Sequence, residues 1–247
     1  MVRHANHDDH QLDSLLWVRR SRTVGVVLIQ TSFIEPPPRD QPIGAIDLWA
    51  HGRGLTHFVG IDEAGRGPLA GPVVAAAVCL PPGPMPGVLR GLNDSKQLSE
   101  RRRDELFGAV MNTARAVGVA VVEASVIDEI NILQATLRAM HQAVAHVEAT
   151  LSPSIEALFV DGNRTLSERH EEQWALVKGD RRAWCIAAAS IIAKVSRDRL
   201  MLKYHERYPM YGFDQHKGYG TVAHRRALLA CGPCPIHRRS FRWQPPD

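Results

Sequence analysis

From about residue 57 onward the chain alternates short apolar runs with helical patterns. Phe58-Val59-Gly60-Ile61 reads as a short strand. Residues 73–80 form a near-continuous apolar run, as a strand covered on both faces does. A third strand is expected over 116–123, a fourth over 157–160 ending at Asp161, and a fifth over 174–177 just before Lys178-Gly179-Asp180. Helices are expected over 100–114, with Ser99 as N-cap, over 183–207 and over 221–230. Ser125 with Asp128 makes a capping box. After it, Ile130, Leu133, Leu137, Met140, Val144 and Val147 recur at steps of three and four, an amphipathic stripe that belongs to a core. This order predicts a mixed α/β sheet with helices on its faces and a small C-terminal helical part.

Residues 1–56 differ. They hold a His/Asp-rich start (His4, His7, Asp8, Asp9, His10), one apolar run and a proline linker, and are expected to be a poorly ordered extension. The remainder, 57–247, is expected to be one domain. Gln11-Leu12-Asp13-Ser14-Leu15-Leu16 is a poor approximation to a sliding-clamp peptide. Arg19-Arg20-Ser21-Arg22 faintly resembles a twin-arginine signal, but its apolar part contains Gln30 and ends in prolines rather than small residues. No apolar run reaches the ~18 residues of a membrane span, and a cytoplasmic location is expected.

A net charge of +4 is compatible with a polyanion partner. Arg101-Arg102-Arg103, Arg181-Arg182, Arg225-Arg226 and Arg238-Arg239 sharpen that hint, although solvated surface explains any one of them equally well. Cys231-Gly232-Pro233-Cys234 has the spacing of a redox pair but lacks the strand-then-helix setting. With His237 it would offer three zinc ligands and no fourth.

The chemistry concentrates where strands end. Asp62 and Glu63 close the first strand, Asp161 the fourth, and Asp180 follows the fifth. Ligand sites in open α/β sheets gather outside the carboxyl ends of strands. Adjacent strand residues point to opposite faces, so Asp62 and Glu63 share one site only if the chain bends there, and Gly65 and Gly67 can supply the bend. Converging carboxylates repel unless cations neutralise them, and an oxygen-only ligand set selects Mg²⁺ or Mn²⁺. Taken singly, Asp161-Gly162-Asn163 is an ordinary turn and Asp180 a helix-start acid; their joint position favours a metal site.

Several motifs resemble bacterial ribonuclease HII: Gly60-Ile61-Asp62-Glu63-Ala64-Gly65-Arg66-Gly67-Pro68, Leu92-Asn93-Asp94-Ser95-Lys96, Val160-Asp161-Gly162-Asn163, Val177-Lys178-Gly179-Asp180, Ala189-Ser190-Ile191-Ile192-Ala193-Lys194, His216-Lys217-Gly218-Tyr219 and His237-Arg238-Arg239-Ser240-Phe241. The resemblance spans about residues 57–241 in family order. It implies an RNase H-like fold and a metal-dependent endoribonuclease that uses Mn²⁺ or Mg²⁺. The implied substrates are RNA–DNA hybrids and duplex DNA holding single ribonucleotides. The family's catalytic, metal-binding acids fall on Asp62, Glu63, Asp161 and Asp180. Its Gly-Arg-Gly segment, which reads the ribose 2′-OH and holds the scissile phosphate, falls on Gly65, Arg66 and Gly67. Asn93, Ser95 and Lys96 match a phosphate-contacting loop, and Tyr219 matches a tyrosine that packs on a sugar, where the alternative is a buried structural tyrosine. Asp94 reads as a turn residue and Asp198 as the i,i+4 partner of Lys194. Related ribonuclease HIII is disfavoured because it carries a folded platform domain and a lysine where Arg66 stands; a non-catalytic hybrid binder would lack an acid. A monomer is expected.

Overall fold

The computed structural model describes residues 36–38 and 41–246. The expectations placed on residues 1–35, including the His/Asp cluster, Gln11–Leu16 and Arg19–Arg22, lie outside the described residues.

Five strands form one sheet: β1 (Phe58–Ala64), β2 (Val73–Cys79), β3 (Ala116–Val122), β4 (Ala157–Asp161) and β5 (Glu172–Leu176), in the order β3-β2-β1-β4-β5. β1 to β3 form an antiparallel meander, while β4 runs parallel to β1 and β5 parallel to β4. This is an RNase H-like mixed α/β sheet. The apolar run read as a strand covered on both sides is β2, buried at every position.

Helices cover both faces. α1 (Ala45–Gly52), α2 (Glu100–Thr113) and α4 (Trp184–Arg207) pack on one face, and α3 (Ala124–Glu148) on the other. α5 (Phe213–His216) and α6 (Val222–Cys231) build a third cluster around Met201, Tyr211 and Phe213. The close approach of helix to sheet depends on missing side chains. A Cβ at Gly60 in β1 would lie 2.2 Å from the backbone carbon of Cys185 in α4, and one at Gly118 in β3 would lie 2.0 Å from the Ala143 carbonyl oxygen in α3. No helix among the described residues is long and apolar enough to cross a membrane.

Three expectations are corrected. The folded unit begins before residue 57, because α1 lies within the stretch read as extension and buries Ile46 and Ala50 in the core. Its Asp47 carboxylate accepts bonds from the Trp184 and Cys185 amides at 2.7 and 3.0 Å, capping α4 from a distant part of the chain. Secondly, Ser125 and Asp128 form no capping box. The N-cap of α3 is Glu123, without a side-chain cap bond. Asp128 instead accepts from the Arg239 and Ser240 amides, both at 2.9 Å, and from the Ser240 hydroxyl at 2.6 Å. Thirdly, the stripe along α3 is interrupted. Asn131 has φ 67° and ψ 163°, and its Oδ1 accepts from the Leu133 and Gln134 amides at 3.0 and 3.1 Å. It ends one helix and caps the next, so the buried face shifts from Ile127 to Ala135, Ala139, Met140, Ala143, Val144 and Val147.

The Ser99 N-cap stands as expected, with its hydroxyl accepting from the Arg102 amide at 3.2 Å.

Candidate active site

The acids meet where β1 and β4 part. The parallel ladder between these strands ends at the Ile61–Val160 pair, one residue short of Asp62 and Asp161. The ladder to β2 continues through Asp62, Glu63 and Ala64. The bend therefore starts at Gly65, after both acids, rather than between them. Asp62 is buried, and its Oδ1 accepts the Glu63 amide at 2.6 Å. Asp161 Oδ1 accepts the Gly179 amide at 2.7 Å, which ties the end of β4 to the turn Gly179–Arg181 that carries Asp180.

The electrostatics connect all four groups. Burial raises the Asp62 pKa well above the carboxylate range, and Glu63, Asp161 and Asp180 push it further in that order. Burial also raises Glu63, with Asp161 adding to it and Arg66 opposing at 3.4 Å. Burial raises Asp161 against its bond from Gly179, and raises Asp180 to about 6 with help from Asp161 and Asp94. Among the described residues no three His, Cys, Asp or Glu side chains are gathered tightly enough to hold an ion as they stand. The donor set nevertheless fits a hard divalent cation: oxygen ligands only, desolvated, mutually repelling and short of positive charge.

Asp180 yields a prediction. Its folded pKa of about 6 lies above the ordinary 3.8, so the stability it lends is complete below about pH 4 and is lost as pH rises through 6. In EDTA, Asp180→Asn should melt close to the parent at pH 4 and above it at pH 8. Equal melting temperatures at both pH values would remove the repulsion from the account.

The phosphate-contacting residues of the resemblance divide. Lys96 is exposed, and its charge lowers the pKa of Glu63, Asp161 and Asp180, so it faces the acids. Asn93 is half-buried, and its Oδ1 accepts the Asp94 amide at 2.8 Å. Ser95 is turned inward, buried with its hydroxyl 2.8 Å from that of Ser190. Asp94 is more than a turn residue. It caps Ser95–Gln97 through the Lys96 amide at 2.9 Å and pairs with Arg181 at 2.8 Å. Lys194 and Asp198 pair as expected, at 2.6 Å.

The Gly65–Gly67 loop is held from behind by one buried arginine, Arg238, and the backbone around it by a second, Arg197. Arg238 donates to the Gly65, Arg66 and Gly71 carbonyls, at 2.5, 2.9 and 2.9 Å. Arg197 donates to those of Pro72, Lys217 and Ala70, at 2.9, 3.0 and 3.1 Å. Nothing in the sequence pattern marks either as interior, yet Arg197 is 1% and Arg238 3% exposed. Burial, with Arg197 adding repulsion, brings the Arg238 pKa down to about 9. In a trans peptide, the N–H points opposite to the preceding carbonyl. Turning the Gly65 and Arg66 carbonyls inward therefore turns the Arg66 and Gly67 amides outward. Arg238→Lys keeps the charge but offers no planar fork. Its cutting rate should fall roughly tenfold or more, from the loss of bonds worth about 1.5–3 kcal/mol each, while duplex affinity changes little. A parallel loss of affinity, or no loss of rate, would contradict this role.

Tyr219 is 43% exposed, which rejects the buried structural alternative. Its ring reaches within 3.7 Å of where a Gly67 Cβ would sit. A histidine chain fixes its backbone. His224 Nδ1 lies 3.0 Å from the Tyr219 carbonyl and so must donate, leaving Nε2 to accept from His237 Nε2 at 3.0 Å. His237 Nδ1 in turn accepts the Cys234 amide at 2.9 Å. The Cys234–His237 pair thus serves this chain, and Cys231 and Cys234 are both free thiols.

A family model described as Ribonuclease HII matches residues 59–244. The chain belongs to the ribonuclease HII family. Its relatives include ribonuclease HII of Geobacter metallireducens, 48% identical over 210 residues that cover 83% of this chain and 95% of that one. Ribonuclease HII of Geotalea uraniireducens is 54% identical over 190 residues, covering 77% and 84%. Among solved structures, ribonuclease HII of Archaeoglobus fulgidus, in its complex with PCNA, superposes with a TM-score of 0.62 at 26% identity, covering 77% of this chain and 98% of that one. Ribonuclease H2 of Pyrococcus horikoshii gives 0.59 at 27% identity, covering 74% and 93%. Family membership makes the chain a nuclease of the ribonuclease H type, with its acids and glycine loop inside the matched segment.

Proposed function

We propose that the protein is an endoribonuclease that hydrolyses the RNA strand of RNA–DNA hybrids and incises duplex DNA on the 5′ side of single ribonucleotides. The products carry 3′-OH and 5′-phosphate ends. One observation carries this reading: Asp62 and Glu63 run directly into a loop whose amides face outward, beside an exposed tyrosine.

Asp62, Glu63, Asp161 and Asp180 would hold two divalent ions, Mn²⁺ or Mg²⁺. When bound, such ions activate a water and stabilise the leaving oxygen of an in-line displacement. The chain's own residues do the rest. The outward amides of Arg66 and Gly67 receive the scissile phosphate and the 2′-OH, the group that separates RNA from DNA. Tyr219 packs on the adjoining sugar. Lys96 adds positive charge on the side of the acids, and Arg66 does so across from Glu63. The protein is proposed to act as a monomer.

The test uses purified protein with Mn²⁺ or Mg²⁺, an RNA–DNA hybrid, a DNA duplex holding one ribonucleotide and an all-DNA control. Cutting of the first two, with a 3′-OH and a 5′-phosphate at each break, is expected. Equal cutting of the control, or none of any duplex with either ion, would overturn the reading.

A further inference from the structure

A concavity of about 790 Å³ opens beyond Tyr219, lined by Leu69, Gly220, Arg225, Phe241, Arg242, Trp243 and Gln244. It continues the proposed substrate track without a gap. Tyr219 lies against Gly67, Gly220 follows Tyr219, and the Leu69 amide bonds the Gly218 carbonyl at 2.9 Å. Its chemistry is that of a polyanion site. Arg225 is half-buried and lines the concavity, and its buried Nε has no hydrogen-bond partner in the protein, so its charge is not spent on a neighbouring acceptor there. Arg242 is exposed at the rim and Trp243 is 37% exposed. A solvent-open indole that shares the concavity with two arginines offers a stacking face beside two cationic groups.

The wall is built rather than incidental. Phe241 packs against the core under α3, and the Arg238 guanidinium carbon lies 4.9 Å from its ring. Asp128 grips the preceding turn through Arg239 and Ser240. Asp128 thus spends its carboxylate on holding this segment, not on starting α3.

We propose that this concavity binds the sugar–phosphate backbone of the duplex on one flank of the ribonucleotide, with Arg225 and Arg242 on phosphates and Trp243 on a sugar or base. The proposal rests on the nuclease reading above and adds a second contact region to it.

Binding of the full chain to fluorescein-labelled duplexes, measured by anisotropy in EDTA, tests it. With long flanks, the Arg225→Gln/Arg242→Gln double variant should bind roughly tenfold more weakly. Its dependence of log K on log salt should be shallower by about two, one for each phosphate that is no longer neutralised. Trp243→Ala should weaken binding without changing that slope. Trimming one flank should bring the double variant level with the parent, and trimming the other should leave the difference intact. Unchanged affinity and slope on the long duplex would overturn the proposal, as would a loss indifferent to which flank is trimmed. Because this readout needs no turnover, a failure of the nuclease reading would show separately, as absent cutting by the parent.

Discussion

Asp62→Asn should abolish cutting and yet raise the melting temperature of the metal-free protein. The two effects have one cause. Asp62 is the most desolvated of the acids, and Glu63, Asp161 and Asp180 all repel its charge. Asparagine keeps the shape and the oxygen that accepts the Glu63 amide, and removes the charge. Relief of that repulsion stabilises the fold, while an ion would lose the more buried of the two ligands that β1 offers. The rate should fall on the order of a thousandfold, beyond the roughly 10–100-fold typical of outer partners of a metal site. Duplex binding in EDTA should hold, because the residues that grip phosphate lie elsewhere. Cutting assays and thermal melts check both sides. A variant that cuts at the parental rate would reject the site. One that loses activity together with several degrees of stability would show Asp62 to be a packing residue.

Gly65→Ala and Gly67→Ala should fail differently. Gly65 has φ +97°, and a Cβ there would meet Arg197 Nε at 2.1 Å and the Pro72 carbonyl oxygen at 2.7 Å. A left-handed residue with a side chain costs about 1–2 kcal/mol before any clash, so Gly65→Ala should melt several degrees lower and cut poorly. At Gly67 the nearest protein atom to a new Cβ is Tyr219 Cε1, at an ordinary 3.7 Å. The fold has room for alanine there. Gly67→Ala keeps the amide but puts a methyl where substrate would approach it, so it should melt with the parent and still lose cutting by roughly a hundredfold, the scale of one misaligned donor at a reacting oxygen. Full activity would leave Gly67 without a substrate to explain it, and a matching loss of stability would make it a second structural glycine.

The parts of this molecule legible from its sequence are those whose signal is local. β2 is covered on both sides and reads as an unbroken apolar run. Asp161 ends β4, Asp180 follows β5, and Asp62 and Glu63 lie in the last residues of β1, close enough to strand ends to show in the pattern. What the pattern hides is long-range. Arg238 stands in a basic pair that looks like solvated surface, but its partners Gly65 and Arg66 are 173 and 172 residues away. Only the folded chain shows that its charge is spent on carbonyls. Asp128 sits at the correct spacing for a cap after Ser125, yet it binds residues more than 110 positions further on. α1 is hard to see because it has only eight residues and follows a proline-rich stretch, so its few core residues make no stripe. Asn131 falls inside an apolar repeat that continues on both sides of it, which hides the break from periodicity.

The central claim is that residues 62–67 join catalysis to the recognition of RNA. A single-turnover comparison of two matched duplexes tests it most directly. One holds a single ribonucleotide, and the other holds its 2′-deoxy counterpart at the same position. The parent protein with Mn²⁺ or Mg²⁺ should cut only the first, and Gly67→Ala should narrow the difference by slowing that cut. Equal rates on the two duplexes, or a preference untouched by Gly67→Ala, would contradict it.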